Sequence, residues 1–206
     1  MKIQAPNIPY TLEETTLEDI DYWDGCIARS YSVTNQQLTG AQIHYSVVQQ
    51  CDFSGTTFEQ VDIMDSRFEN CDFSNAVFSM SGFHRVQFVN CKFVGTKFMK
   101  STLNHTQFEQ CMMTLASFEQ CKLGTTIFGH STLQQLDVYS CLLKQVVYNS
   151  CDLNDARFEA TKLKTTDLHT SHFNQLHVNL ADVNGCTISS QQALFFASLL
   201  GLHIKE

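Results

Sequence analysis

Apolar residues recur along this chain at intervals of five. Counting from Val33, the series runs Leu38, Ile43, Val48, Phe53, Phe58, Ile63, Phe68, Phe73, Phe78 and Phe83, passes Phe88, Phe93, Phe98, Leu103 and Phe108, and ends at Val183 and Ile188. All thirty-two positions are apolar or aromatic, where composition alone would give about fourteen. Fourteen of the sixteen Phe fall in this class. Two residues before each centre comes a second selected class, nearly always small: Ala41, Ser46, Cys51, Thr56, Val61, Ser66, Cys71 and onward to Ala181 and Cys186. Its exceptions, Leu136 and Leu176, are apolar, and the other three positions of each pentad are mostly polar.

A period of five fits neither a helix nor a strand. It suits a square coil in which each pentad makes one side and turns one corner. Four pentads then close a coil of twenty residues, which stacks Phe53, Phe73 and Phe93 in one column and Phe58, Phe78, Phe98 and Phe118 in another. Backbone groups pair between coils, and about eight coils at a spacing of about 4.8 Å give a rod of roughly 38 Å. The pattern predicts an all-β solenoid with a short C-terminal α-helix: residues 1–22 as an N-terminal cap, 23–188 as the repeat, and 189–206 as C-terminal helix and tail.

Cys71-Asp72-Phe73-Ser74-Asn75, Cys151-Asp152-Leu153-Asn154-Asp155 and Ala181-Asp182-Val183-Asn184-Gly185 resemble the Ala-Asp/Asn-Leu-X-X unit of the pentapeptide-repeat family. The resemblance implies a right-handed quadrilateral β-helix.

Both ends fall out of register. Thr11-Leu12-Glu13-Glu14 and Thr16-Leu17-Glu18-Asp19 each suit the start of a short turn in a cap over the first coil. At the other end Ser189 and Gln192 form a capping box for a helix over 193–200, and Gly201 supplies a stop, with Leu202 beyond it. The helix is apolar nearly all round, so one flank can cover the last coil while another needs a partner. A homodimer interface is expected at Leu194, Phe195, Phe196, Leu199, Leu200, Leu202 and Ile204, with Ile204 in a short final strand; a plain end cap is the alternative. This ending is similar to the C-terminal dimerisation module of the Qnr-type and MfpA-type quinolone-resistance proteins.

Charge and cysteine content change the picture less than their totals suggest. A net charge of −8 argues against a basic nucleic-acid patch. Apolar runs are too short to cross a bilayer, and Met1–Pro6 lacks the apolar stretch of a signal peptide, so a bacterial cytoplasmic location is expected. All nine Cys sit in the small inward class, where packing explains them better than disulfides. No Cys-x-x-Cys pair occurs and the eight His are scattered outward or terminal, so no metal or cofactor is expected. No catalytic constellation is present, and the chain does not read as an enzyme.

The acids are unevenly placed. Residues 1–75 hold twelve acids and three bases, residues 76–206 nine acids and ten bases. Asp52, Glu59, Asp62, Asp65, Glu69 and Asp72 fall within about one coil as an acidic girdle, with Asp62 and Asp65 expected at a solvated corner. Glu59, Glu119 and Glu159 share one face, while Lys122, Lys144, Lys162 and Lys164 cluster on the next. The Qnr-type resemblance implies a dimeric rod that mimics duplex DNA, binds DNA gyrase or topoisomerase IV through this acidic surface, and protects them from quinolones or a related toxin. No loop breaks the register, so contact would come from faces and ends. The other reading is a structural or adaptor solenoid for an unrelated protein.

Overall fold

The computed structural model describes residues 2–15 and 21–202. The chain winds into an all-β solenoid of about eight coils, its described strands parallel and, from Tyr22 onward, offset by twenty residues. Leu38 pairs with Phe58, then Phe78, Phe98, Phe118, Val138, Phe158 and Val178. Among the described residues these ladders form sheets of thirteen and eight strands. Main-chain groups are satisfied by the coils on either side: Asp72 N donates to Cys51 O at 2.9 Å and Phe73 N to Lys92 O at 2.7 Å.

Most corners place the residue two beyond the centre in the left-handed region, Thr125, Thr170, Gln175 and Leu180 being exceptions. Down one corner lie Asn35 at φ +54°, Gly55 at +68°, Asn75 at +58° and Gly95 at +68°, residues that tolerate this region. A Cβ on Gly95 would come 2.7 Å from Asn75 Oδ1, so the glycine leaves room for that side-chain oxygen. The turn there closes with Thr56 N to Phe53 O at 3.1 Å and Ala76 N to Phe73 O at 2.9 Å, as in a type II turn. Tyr45, Leu115 and Thr165 hold the same conformation against their own preference, imposed by the ladders on both sides.

Inside, the rings stack along the axis. Phe58, Phe78, Phe98 and Phe118 lie 4.5, 5.0 and 4.6 Å apart, tilted by no more than 9°. Perpendicular neighbours fill the gaps, as with Phe88 and Phe93 at 89°, the geometry ring quadrupoles favour. The small class does more than save space. Cys71 Sγ donates to Val48 O, Ser66 Oγ to Ile43 O and Thr96 Oγ1 to Phe73 O, each twenty-three residues back. Cys, Ser and Thr therefore interchange as small buried donors. Burial pushes the Cys111 thiol up to about 12 and that of Cys151 to about 11, which keeps both protonated. Eight cysteines are buried and Cys186 is half-buried.

The N-terminal segment departs from a simple cap. Glu13–Glu14 is a strand, not a turn start, and pairs with Cys26 and Ile27 of the first coil. Residues 2–9 instead run along the side of the rod, where Asn7 N reaches Asp65 and Gln4 N reaches His105. The Thr16–Asp19 segment and Ile204 with its expected strand lie outside the described residues.

The C-terminal helix spans Ser190–Leu199, with Ser189 as N-cap and the capping box to Gln192 formed in both directions. Gly201 at φ +74° ends it, with Gly201 N bonded to Ser198 O and Leu202 N to Ala197 O, the Schellman pattern. Gln192 is buried and donates to Leu168 O at 2.8 Å and Ser171 O at 2.7 Å, closing carbonyls of the last regular coil. Phe196 is buried and Phe195 half-buried, both against Phe173. The expectation that these two rings would lie open to a partner is corrected: they dock the helix on its own rod. Under the helix the last coil loosens, and Phe173, Val178, Val183 and Ile188 are half-buried while Ala181 is exposed.

Tyr148 occupies a Phe position, stacked 4.9 Å from Phe128, and its buried hydroxyl has no hydrogen-bond partner. Tyr148→Phe is expected to stabilise the protein by about 1 kcal/mol, a rise in Tm of roughly 2–4 °C by scanning calorimetry. An unchanged or lower Tm would count against an unsatisfied hydroxyl.

Candidate functional site

With the interior filled, the chain's chemistry is on its outside, where the stacking turns each sequence position into a column. One column reads Thr39, Glu59, Ser79, Met99, Glu119, Tyr139, Glu159. The expected ladder of Glu59, Glu119 and Glu159 therefore exists, with neutral residues between; Glu59 and Glu119 are half-buried and Glu159 is exposed. The adjoining column carries Lys97, Ser117, Asp137, Arg157 and His177, so bases stand beside the acids. Toward the C-terminus a shallow groove opens between Arg157, Glu159, His177 and Asp182.

The acidic girdle is only partly a surface. Asp52 and Asp72 stack in one column with Lys92, and their Oδ1 atoms accept from Ser54 N at 2.9 Å and Ser74 N at 2.8 Å. Partial burial raises the Asp72 pKa, but Ser74 and Lys92, the latter at 3.5 Å, outweigh it and hold the carboxyl below its ordinary range. Glu69 pairs with Arg67 at 2.7 Å and accepts from Gln49 Nε2. Asp62 is open, 59% exposed, with His44 Nε2 at 3.0 Å.

Asp65 does not belong to the surface at all. Its side chain is 1% exposed, which corrects the expected solvated corner. Arg85, one coil on, donates through Nε to Oδ1 at 2.6 Å and through Nη2 to Oδ2 at 2.5 Å. Asn7 N of the N-terminal segment adds a bond to Oδ1 at 2.9 Å. Burial would raise the pKa of this carboxyl, but the Arg85 and Asn7 bonds prevail and hold it below the usual carboxylate range. Three strands, Asp62–Glu69, Gly82–Val89 and Thr102–Glu109, run unbroken through this corner, and register places Asp65, Arg85 and His105 on one line.

Farther along the same face Lys122, Lys144, Lys162 and Lys164 are all exposed, around a Leu142 that is 66% exposed. At the C-terminal tip Leu194, Leu199, Leu200 and Leu202 stand 43–63% exposed. Among the described residues no group of three or more His, Cys, Asp and Glu could hold a metal ion. No helix among them is long and apolar enough to cross a membrane.

Residues 41–114 and 81–158 match the pentapeptide repeat region. The chain belongs to the pentapeptide-repeat family. No curated protein matches this sequence. Among solved structures it resembles HetL, a pentapeptide repeat protein involved in heterocyst differentiation regulation in the cyanobacterium Nostoc sp. strain PCC 7120, at 13% identity over 81% of this chain and 84% of that one, with a TM-score of 0.50. Full-length QnrB1, a plasmid-mediated fluoroquinolone resistance protein, matches at 16% identity over 85% of this chain and 100% of that one, with a TM-score of 0.41. At 13% identity the likeness to HetL is one of fold.

Family membership accounts for the centres, the small class and the stacked columns. The Asp65–Arg85 pair and the Gln192 clamp lie outside that repeating pattern. Arg85→Ala would strand a buried carboxylate and is expected to cost roughly 3 kcal/mol at neutral pH, measured by urea unfolding. Because the folded-state pKa of Asp65 is lowered, the stabilisation is full above the ordinary carboxylate value of about 3.9 and is lost as pH falls through the folded value. The gap between wild type and variant should narrow accordingly in acid. A gap that stays constant would count against the pair as its source.

Proposed function

We propose that this protein is a non-catalytic binding rod that docks a protein partner along its outer faces. The observation that carries this is the filled interior: among the described residues the in-register columns bury the centres and the small class throughout the regular coils, so what the chain offers a partner is a long, patterned exterior. As the specific partner we propose a type II topoisomerase, DNA gyrase or topoisomerase IV, bound by DNA mimicry, with protection from quinolones or a related toxin as the outcome. The Qnr-type resemblance of the sequence and the Glu59–Glu119–Glu159 column support this reading. The physical demand is for carboxylates that meet a basic groove, and Asp62 and Glu159 are the open ones among the eight proposed for the surface.

A second reading is favoured by the internal pairing of Asp65, Glu69 and Asp72 with Arg85, Arg67 and Lys92. Carboxylates neutralised within the rod present a mixed surface, which suits an adaptor for an unrelated protein. Assembly enters both readings. The four exposed leucines at the C-terminal tip form an apolar patch suited to a second copy, giving a tail-to-tail homodimer with the acidic N-terminal regions outermost.

Purified gyrase supercoiling in the presence of ciprofloxacin separates the partners. Topoisomerase binding predicts inhibition or drug rescue that weakens in Asp62→Asn/Glu159→Gln, whereas neither effect over a wide protein range, together with capture of a different protein, selects the adaptor. Sedimentation at micromolar concentration is expected to show a dimer that Leu194→Glu/Leu200→Glu converts to monomer without loss of the β-sheet circular dichroism signal. A monomeric wild type would remove the dimer.

A further inference from the structure

The corner formed by Tyr45, Asp65, Arg85 and His105 differs from the other corners of the rod. At one neighbouring corner Gln50, Asn70, Asn90 and Gln110 are all exposed, whereas here Asp65 is buried and the other three are half-buried. The cover is the chain's own N-terminal segment. It is fastened by two of its main-chain N–H groups donating to side chains of the rod, Asn7 N to Asp65 Oδ1 at 2.9 Å and Gln4 N to His105 Nδ1 at 3.2 Å. Ile3, Pro6 and Ile8 are half-buried along it, while Lys2, Gln4, Ala5, Asn7 and Pro9 are exposed. Three extended residues span about 10 Å, and two coils rise about 9.6 Å, so the anchors match the pitch of the rod.

The two anchors differ chemically. Asp65 accepts as a carboxylate whose pKa lies below the ordinary range, so mild acid leaves it intact. His105 accepts through Nδ1, which requires the neutral imidazole with its proton on Nε2; a protonated ring carries hydrogen on both nitrogens and accepts nothing. We infer that residues 2–9 are a strap with a histidine latch: protonation of His105 releases its outer end from the rod while the Asp65 anchor holds the inner end.

The surroundings of His105 are consistent with a switch at this point. On the preceding strand His84 lies 6.1 Å away, ring to ring, beside Arg85, which also contacts His84 Nε2. Burial first, then Arg85 and His105, hold His84 below the usual histidine range. Asp65 and Asp62 lie on the strand before that, with Asp65 already matched by Arg85. The following coil presents Gly124 and Thr125, both uncharged, with Lys122 exposed beside them, and the strap contributes Lys2. Among the described groups, Asp65 is the carboxylate on this corner line and it is committed to Arg85. A protonated ring therefore loses the Gln4 bond without gaining an acidic partner there. Release would uncover the middle of the same face that carries the exposed lysines farther along.

Backbone order parameters from 15N relaxation test this on the full chain. At about pH 7 Gln4 and Asn7 should both be rigid, above about 0.8 on that scale. At about pH 5 Gln4 should fall below about 0.6 while Asn7 stays rigid. His105→Asn, whose amide oxygen replaces Nδ1 as an acceptor that does not titrate, should hold Gln4 rigid at both values. His105→Ala should leave it mobile at both. A wild-type Gln4 equally ordered, or equally mobile, at the two pH values would overturn the latch. So would a His105→Asn chain that follows the wild-type response, or a His105→Ala chain that stays rigid.

Discussion

The structure depends on one constraint: no coil can satisfy its own backbone. Most N–H and C=O groups on a side point along the rod axis and find partners nineteen or twenty-one residues away, as Phe73 N does at Lys92 O and Asp72 N at Cys51 O, so a coil is complete only between two others. An isolated pentad gains nothing, and stability accumulates by stacking. The left-handed corners follow from the same cause. A Tyr or Leu at a corner is held there because the neighbouring ladders leave it no alternative, and the strain is spread over coils that fix one another.

Such a rod is vulnerable where stacking stops, and its two ends meet this differently. At the C-terminus Gln192 supplies two donors to carbonyls at Leu168 and Ser171, while Phe195 and Phe196 cover the loosened last coil. The helix thus spends its aromatic residues on its own chain and turns leucines outward. At the N-terminus Glu13–Glu14 closes the first coil, and the remaining residues run down the side over Asp65. One end is sealed by a helix that leaves an apolar tip; the other continues as a strap that alters the charge pattern of a face.

Most of the core was legible because the interior responds to one variable, residue size at fixed spacing. Phe53 or Cys71 could be assigned inward without any knowledge of its neighbours. The helix ending was equally readable, since Ser189, Gln192 and Gly201 act locally. Asp65 was not, because its burial depends on Asn7, fifty-eight residues away, and the pentad pattern says nothing about what lies over a corner. The paired states of Glu69 and Asp72 needed the register as well as the sequence. The residue one coil away, Lys92 stacked on Asp72, decides whether that carboxylate faces solvent alone. Phe195 was misplaced for a related reason: an all-apolar helix does not reveal which flank docks.

The twenty-residue register also determines how this chain could change in length. Removing or inserting one pentad would leave every centre facing inward, yet all residues beyond that point would turn by a quarter of the rod's circumference. The glutamates beyond the break would then pass to a neighbouring face, and the lysines beyond it would move round with them. Loss or gain of a whole coil would shorten or lengthen the rod and keep each face intact. The core therefore tolerates steps of five, while the exterior keeps its pattern only in steps of twenty. Length variation in such a chain is a means of re-indexing its surface without touching its interior.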